Sequence, residues 1–279
     1  MDKTGQSHHH HHHSHHHSGK ESKSYSKKIS SGCLLVFATI SIGFILFASF
    51  MPDTLSEMEN SVAGMLGHHT KKADRYAKMD YDGIDVSHHQ GTIDWGKVAG
   101  DTCVKFVYIK ATEGSTYVDS LYEVNINGAR KAGLKVGSYH FLTSSSTVTA
   151  QFDNFKKNVK IREQDLIPII DIEQEGITGW NKEQLQDSIV HFIALLKNYY
   201  GKEPMLYCLS QFYRDNLSPR FNRYRLFIAK YGLISDMDVG VNSHTIWQHS
   251  NQGIVDGIPV DVDLDMFEPG ISIKDISLK

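Results

Sequence analysis

Two carboxylates one residue apart, Asp171 and Glu173, end the apolar run Leu166-Ile-Pro-Ile-Ile-Asp-Ile-Glu173. A run this apolar suits a strand buried on both faces. Strand side chains alternate, so the two acids point to the same side, about 6.5–7 Å apart along the chain. Neighbouring carboxylates resist joint ionisation, so one keeps its proton to higher pH and can act as a general acid. Taken alone, the pair also fits a solvated strand end or a cation site. Gly83-Ile-Asp-Val-Ser87 adds Asp85, and Val260-Asp-Val-Asp-Leu264 adds Asp261 and Asp263. Alternation makes Asp261 and Asp263 co-facial and does not choose between them. Taken singly, each of these acids is more often a cap or turn residue.

Flat rings with a polar edge suit the faces of sugars. Tyr139, Tyr207 and Trp247 all fall near expected strand ends, where core packing is the competing role. Lys110 and Glu113 follow the second strand, either as a rim ion pair or as substrate contacts. His88, His89 and His140 lack ligand-like companions and read as packing or hydrogen-bonding residues.

The elements that must position these groups alternate in type. β-rich runs occur at 83–87, 104–110, 136–142, 166–173, 205–210, 225–231, 245–249 and 260–264. A helix is expected over Asn181–Tyr200, with an Asn181/Gln184 capping box, Leu185, Ile189, Phe192 and Leu196 on one face, and Gly201 as a stop. A second has Leu121, Val124, Gly128 and Ala132 on one face, and a third has Phe152, Phe155 and Val159. Strand–helix alternation predicts a mainly parallel sheet, and eight strands predict closure into a barrel. The helical patterns thin out after about Leu217, so the outer ring is expected to be incomplete. First and last strands adjoin in a closed barrel, which brings Asp85 and Asp263 to the mouth that holds Asp171 and Glu173.

The 279 residues carry a net charge of −3, with 40% hydrophobic and 22% charged residues. This is ordinary globular chemistry with no electrostatic footprint for nucleic acid. Most of the 17 histidines lie in the tracts His8–His13 and His15–His17, which read as an unstructured tail or tag rather than a metal centre. No metal or cofactor is expected. Cys33, Cys103 and Cys208 do not form a disulfide framework, and the last two read as small buried hydrophobes.

Cys33–Met51 is apolar and uncharged, close to the roughly 20 residues of a spanning helix. Lysines precede it and acids follow it, so the N-terminus is expected in the cytoplasm and the remainder outside. A cleaved signal peptide is the rival reading, but Phe47-Ala-Ser-Phe50 makes a poor cleavage site. The expected organisation is a tail at 1–32, a membrane anchor at 33–51, a linker at 52–80 and a barrel domain at 81–279.

The motif set extends beyond the acids. Gly83-Ile-Asp-Val-Ser-His-His-Gln-Gly91 is followed by Ile93-Asp-Trp95. Phe106-Val-Tyr-Ile-Lys-Ala-Thr-Glu-Gly114, Gly137-Ser-Tyr-His-Phe141, Asp171-Ile-Glu173, Ile246-Trp-Gln248 and Val262-Asp-Leu-Asp-Met-Phe267 complete it. In this order the set resembles family 25 glycoside hydrolases. The resemblance implies a modified TIM-like β/α barrel with eight strands and about five helices. It also implies cleavage of the β-1,4 bond after N-acetylmuramic acid, with peptidoglycan glycan strands as the partner. By the same resemblance Glu173 is the general acid/base, Asp171 its partner, and Asp85 and Asp263 supporting acids. Lys110, Tyr139, Tyr207, Trp247 and Gln248 are the candidates for substrate contact. Asp265 stands where the family often has Asn, an extra charge expected to alter substrate preference or pH optimum. A glycosidase acting on another N-acetylated glycan such as chitin, and a non-catalytic wall-binding module, are the alternatives.

Overall fold

The computed structural model describes residues 80–231 and 244–279, all within one compact unit. The expected tail, apolar span and linker, Asp80 aside, lie outside the described residues. Among the described residues no helix is long and apolar enough to cross a membrane.

Nine strands form one sheet: β1 (Gly83–Val86), β2 (Phe106–Glu113), β3 (Tyr117–Val118), β4 (Lys135–Phe141), β5 (Ile169–Asp171), β6 (Met205–Leu209), β7 (Leu226–Ala229), β8 (Ile246–Gly253) and β9 (Val262–Phe267). Eight of them close a barrel, because β1 pairs with both β2 and β9; β3 is a short hairpin strand on β2. From β1 through β2 and β4 to β8 every barrel pairing is parallel. β9 runs antiparallel to both of its neighbours. The expected eight-strand closure is present, with its last strand reversed. Reversal is possible because β9 follows β8 without the helical crossover that a parallel partner would need.

Among the described residues three long helices cover the outside: α1 (Tyr122–Lys131), α2 (Val148–Asn158) and α3 (Lys182–Tyr200). The connections after β6 carry only short helical turns among the described residues, so no long helix covers that side there. α3 starts where Asn181 accepts from the Gln184 amide at 2.9 Å and Gln184 accepts from the Asn181 amide at 3.0 Å. It stops at Gly201, whose φ of 80° is left-handed. Leu185, Ile189, Phe192 and Leu196 are buried as expected. α1 differs from expectation. Its buried face is Tyr122, Asn125, Ile126 and Ala129, whereas Val124 is 63% exposed. Gly128 is set against the Trp95 ring, where a β-carbon would lie 2.3 Å from a ring atom.

Strand alternation sorts the barrel wall. Val107, Ile109, Ile170 and Cys208 are fully buried, and His140 on the outer face packs against Phe155 and Phe192 of α2 and α3. Cys103 is half-buried in a turn rather than in a strand, and both described cysteines are free. Inside, aromatic rings fill the base: Phe106 lies 4.9 Å from Phe267 and 5.9 Å from Tyr108, and Tyr108 lies 6.3 Å from Phe227. Gly83 and Gly137 make room for them. A β-carbon at either would stand 2.3 Å from the Phe106 or Tyr108 ring. The barrel is therefore a packed core below and a cavity above.

The segment after the last strand seals the base of β5. The Ile167 amide donates to the Ile276 carbonyl at 2.9 Å and the Leu278 amide to the Asp165 carbonyl at 2.7 Å, burying Ile276 and Leu278.

Candidate active site

The C-terminal ends of the parallel strands surround a cavity of about 420 Å³. Asp85, Asp171, Glu173 and Asp263 all line it. Register explains the gathering. Asp85 is the direct partner of Asp263 across β1 and β9, and Asp171 lies between Phe141 of β4 and Tyr207 of β6. Because β9 is antiparallel, its beginning rather than its end reaches the mouth. Glu173 lies beyond the last residue of β5, although the Ile172 amide still bonds the Tyr207 carbonyl at 3.0 Å. The loop that carries Glu173 is pressed onto β4 at Gly176, where a β-carbon would sit 2.3 Å from the Leu142 carbonyl oxygen.

The four acids cannot all be ionised near neutrality. Burial, then the charge of Asp263, raises Asp85 well above the usual carboxylate range, against a 2.7 Å hydrogen bond from Gln248 Nε2. Burial and then Glu173 raise Asp171, opposed by Lys110. Burial and then Glu175 raise Glu173, opposed by Lys110 and by a hydrogen bond with Asp171. Asp263 is pushed up to about 7, first by burial and then by Glu173. The site thus holds protons on some carboxyls while others are charged, the condition that general acid–base chemistry needs. Lys110 is the one lysine or arginine among the described residues lining the cavity. Its Nζ donates to Glu113 at 2.9 Å and lies 4.8 Å from the Phe141 ring centre. The Lys110–Glu113 ion pair is therefore present at the rim, and the lysine also faces the cavity.

Tyr139 and Tyr207 line the cavity wall. Gln248 sits behind that wall. It donates to Asp85 and accepts from the Tyr207 hydroxyl at 2.9 Å and the Tyr231 hydroxyl at 3.1 Å, tying three wall residues together. Trp247 is not in the cavity. It lies on the opposite face of β8, 5.3 Å from the His249 ring, with its Nε1 donating to the Lys230 carbonyl at 2.8 Å. Its expected sugar contact is replaced by a packing role, because neighbouring strand residues point opposite ways.

Tyr231, Phe141 and Asn251 also line the cavity without being among the expected site residues, and so does His89, for which packing or hydrogen bonding is the expected role. Tyr231 ends the expected seventh strand, the same signal that picked Tyr207. Asp261 and Asp263 both line the cavity, Asp261 exposed and Asp263 half-buried. His140 is a hydrogen-bonding core residue, 2.7 Å from Thr112 Oγ1 and 3.1 Å from Gln151 Oε1, kept neutral by burial with a pKa of about 4. Among the described residues no group of three or more His, Cys, Asp or Glu is arranged to hold a metal ion.

Asp265 departs from expectation. It is fully buried, does not line the cavity, and neither carboxyl oxygen has a hydrogen-bond partner among the described residues. Burial, then Asp85 and Asp263, raises it well above the usual range, so it enters the fold as a neutral acid rather than as an extra charge at the substrate. A carboxyl raised on folding stabilises fully below its unfolded value and loses that contribution as pH rises through its folded value. Asp265→Asn removes one such group. Its melting temperature should match the unmodified protein near pH 4 and exceed it increasingly toward pH 8. The difference should grow by no more than about 1.4 kcal/mol per pH unit. Parallel melting curves from pH 4 to 8 would contradict this.

Comparison with known proteins agrees with the geometry. The model of "Glycosyl hydrolases family 25" matches residues 84–258. The chain is 36% identical over 191 residues to an autolytic lysozyme of Clostridium acetobutylicum, covering 68% of this chain and 57% of the relative. It is 32% identical over 198 residues to lysozyme M1 of Streptomyces globisporus, covering 66% and 67%. Among solved structures, a bacterial lysozyme from Streptomyces coelicolor superimposes with a TM-score of 0.61 at 32% identity, over 71% of this chain and 95% of that one. A family 25 glycosyl hydrolase from Bacillus anthracis gives a TM-score of 0.60 at 30% identity, over 69% and 92%. An ordered motif set, a closed barrel with a reversed last strand and a mouth of four carboxyls lead to one conclusion: this chain belongs to family 25 of the glycosyl hydrolases.

Proposed function

We propose that this glycoside hydrolase is a muramidase that cleaves the β-1,4 bond between N-acetylmuramic acid and N-acetylglucosamine in peptidoglycan. One observation carries the mechanistic part. Asp171 and Glu173 both line the cavity, near enough that the charge of Glu173 raises the Asp171 carboxyl, and Asp171 Oδ1 is buried without a partner among the described residues. Two acids that approach from one side do not flank the sugar as an acid and a separate nucleophile would. Glu173, the less buried of the pair, protonates the leaving oxygen. Asp171 orients the substrate's 2-acetamido group through its N–H, so that the acetamido oxygen attacks the anomeric carbon and configuration is retained. Asp85 and Asp263 support the pair electrostatically. Tyr139, Tyr207 and Lys110 contact the glycan, and Gln248 holds the tyrosine wall in place.

Borohydride reduction of a peptidoglycan digest before acid hydrolysis tests the bond choice. Muramicitol is the expected product. Glucosaminitol would replace the muramidase with another glycosidase, and wall binding without new reducing ends would leave only a binding module.

We further propose that Cys33–Met51 anchors the chain with its N-terminus in the cytoplasm and its barrel outside. The charge asymmetry across that apolar run supports this. The full-length protein should stay with membranes after carbonate washing, with its barrel open to external protease. A mature N-terminus near Phe50 would overturn the anchor.

A further inference from the structure

The two ends of the barrel differ in charge. Residues 80–279 carry 26 Asp and Glu against 20 Lys and Arg, so the domain as a whole is acidic. Its mouth follows that balance, with Asp85, Asp171, Glu173, Asp261 and Asp263 around the cavity. The base reverses it. Five parallel strands each begin beside an exposed cation: Lys105 before β2, Lys135 at the start of β4, Arg162 in the turn before β5, Lys202 before β6 and Arg225 before β7. These strands are bonded side by side in that order, so the five cations follow the barrel rim as a partial ring. Arg130 and Lys131 join Lys135 around a hollow of about 490 Å³, where Asp165 is the one acid among the described lining residues. The acids at this end are held closer in. Asp82 accepts from the Phe267 amide at 2.9 Å, Asp101 from the Cys103 amide at 2.9 Å and Asp165 from the Val136 amide at 3.2 Å. In the ion pairs Lys105–Asp82, Lys135–Asp165 and Arg162–Glu163 the cation is always the outer partner, its side chain 58–85% exposed against 18–36% for the acid. Asp80 and Asp275 are the exposed acids at this end among the described residues.

We propose that the base of the barrel is a docking face for an anionic phospholipid bilayer, and that docking points the acidic mouth away from the membrane. This rests on the anchor reading of Cys33–Met51 and not on the bond choice. The described chain enters the barrel at the same end, at Asp80 just before β1. The sequence leading in, Lys71-Lys72-Ala-Asp-Arg-Tyr-Ala-Lys78, carries four cations and one acid. Cations held near an anionic leaflet are attracted over about a Debye length, roughly 10 Å at 0.1 M salt. Such attraction needs no pocket, only several cations spread over one face, and a ring around a closed barrel end supplies that. A tethered domain is already concentrated at the surface, so weak contacts suffice to hold it. The same leaflet repels the carboxyls of the mouth. Attraction at one end and repulsion at the other orient the barrel, which a tether alone does not do.

The test places the full-length chain in nanodiscs of phosphatidylcholine, or of an equal mixture with phosphatidylglycerol, and reads amide hydrogen exchange. Peptides covering residues 130–135 and 159–165 should exchange more slowly in the mixture, by roughly fivefold, the weight of about one cation at a charged leaflet. Peptides covering residues 253–261, at the mouth, should exchange equally in both. High salt should remove the difference. Lys131→Gln with Lys135→Gln, and separately Lys160→Gln with Arg162→Gln, neutralise exposed side chains on two different loops. Each pair should weaken the protection while melting with the unmodified protein. Equal exchange in the two lipids, protection at the mouth instead, or protection untouched by both variants would overturn the docking face. Protection by inorganic polyphosphate in neutral discs, with none from phosphatidylglycerol, would assign the base to a soluble polyanion and overturn it too. A chain that does not enter the discs would remove the anchor reading itself, and the docking face with it.

Discussion

Replacing Glu173 with Gln lowers the rate of glycan cleavage by about 10²–10⁴-fold, the usual worth of a positioned proton donor, and leaves the barrel folded. Gln keeps the volume and hydrogen-bonding capacity of the side chain but has no proton to give the leaving oxygen. Glu173 lies past the end of β5, half-buried, so no core packing depends on its carboxyl. Burial and the adjacent Glu175 raise its pKa, which keeps the acid form available at higher pH than for an ordinary glutamate. Unmodified activity should therefore fall on the alkaline side as Glu173 and its coupled partners lose their protons. Initial rates on sacculi, with melting curves of both proteins, make the measurement. Residual activity within a factor of ten of the unmodified enzyme would take the acid role away from Glu173.

Asp171→Asn should cost about 10²–10³-fold in turnover while leaving the protein as stable as before or more so. The two effects have one origin. Folding raises the Asp171 pKa, through burial and then through Glu173, so the native state at neutral pH bears a penalty that Asn does not. The same substitution removes the carboxylate that steadies a positive acetamido-derived intermediate. Glycan stripped of its N-acetyl groups should be a correspondingly poor substrate for the unmodified enzyme, because the internal nucleophile is missing. Cleavage of de-N-acetylated glycan at the normal rate, or release of the inverted anomer, would rule out assistance by the substrate. A variant that loses stability and activity together would give Asp171 a structural role instead.

What was legible in the sequence follows from which physical signals are local. Strand positions, the box at Asn181 and Gln184, and the stop at Gly201 depend on near neighbours, and these stand within a few residues of expectation. Facing is less local. Both sides of a barrel strand are buried, so hydropathy does not say which side looks inward. Trp247 and Gln248 are both expected at the substrate, yet neither lines the cavity: Trp247 packs on the other face of β8, and Gln248 bonds Asp85 and two tyrosines behind the wall. α1 presents a similar case. Apolar spacing selected Val124, but Asn125 is the buried residue and Gly128 is shaped by Trp95, a partner distant in sequence. The reversal of β9 carries no mark in its own six residues, since pairing direction belongs to two strands at once. Asp265 read as a charge because sequence supplies a residue type without its solvent. Closure alone brings Asp85 and Asp263 together, because the first and last strands of a barrel adjoin.

That closure also sets when the molecule becomes dangerous to its surroundings. Asp85 comes from the first barrel strand and Asp263 from the last, as direct partners in the ladder. A ribosome that has not yet released Val262–Phe267 carries a chain with an open wall and three of the four acids. Lytic capacity therefore does not grow gradually with chain length. It arrives in a single step, when the final strand inserts between β8 and β1.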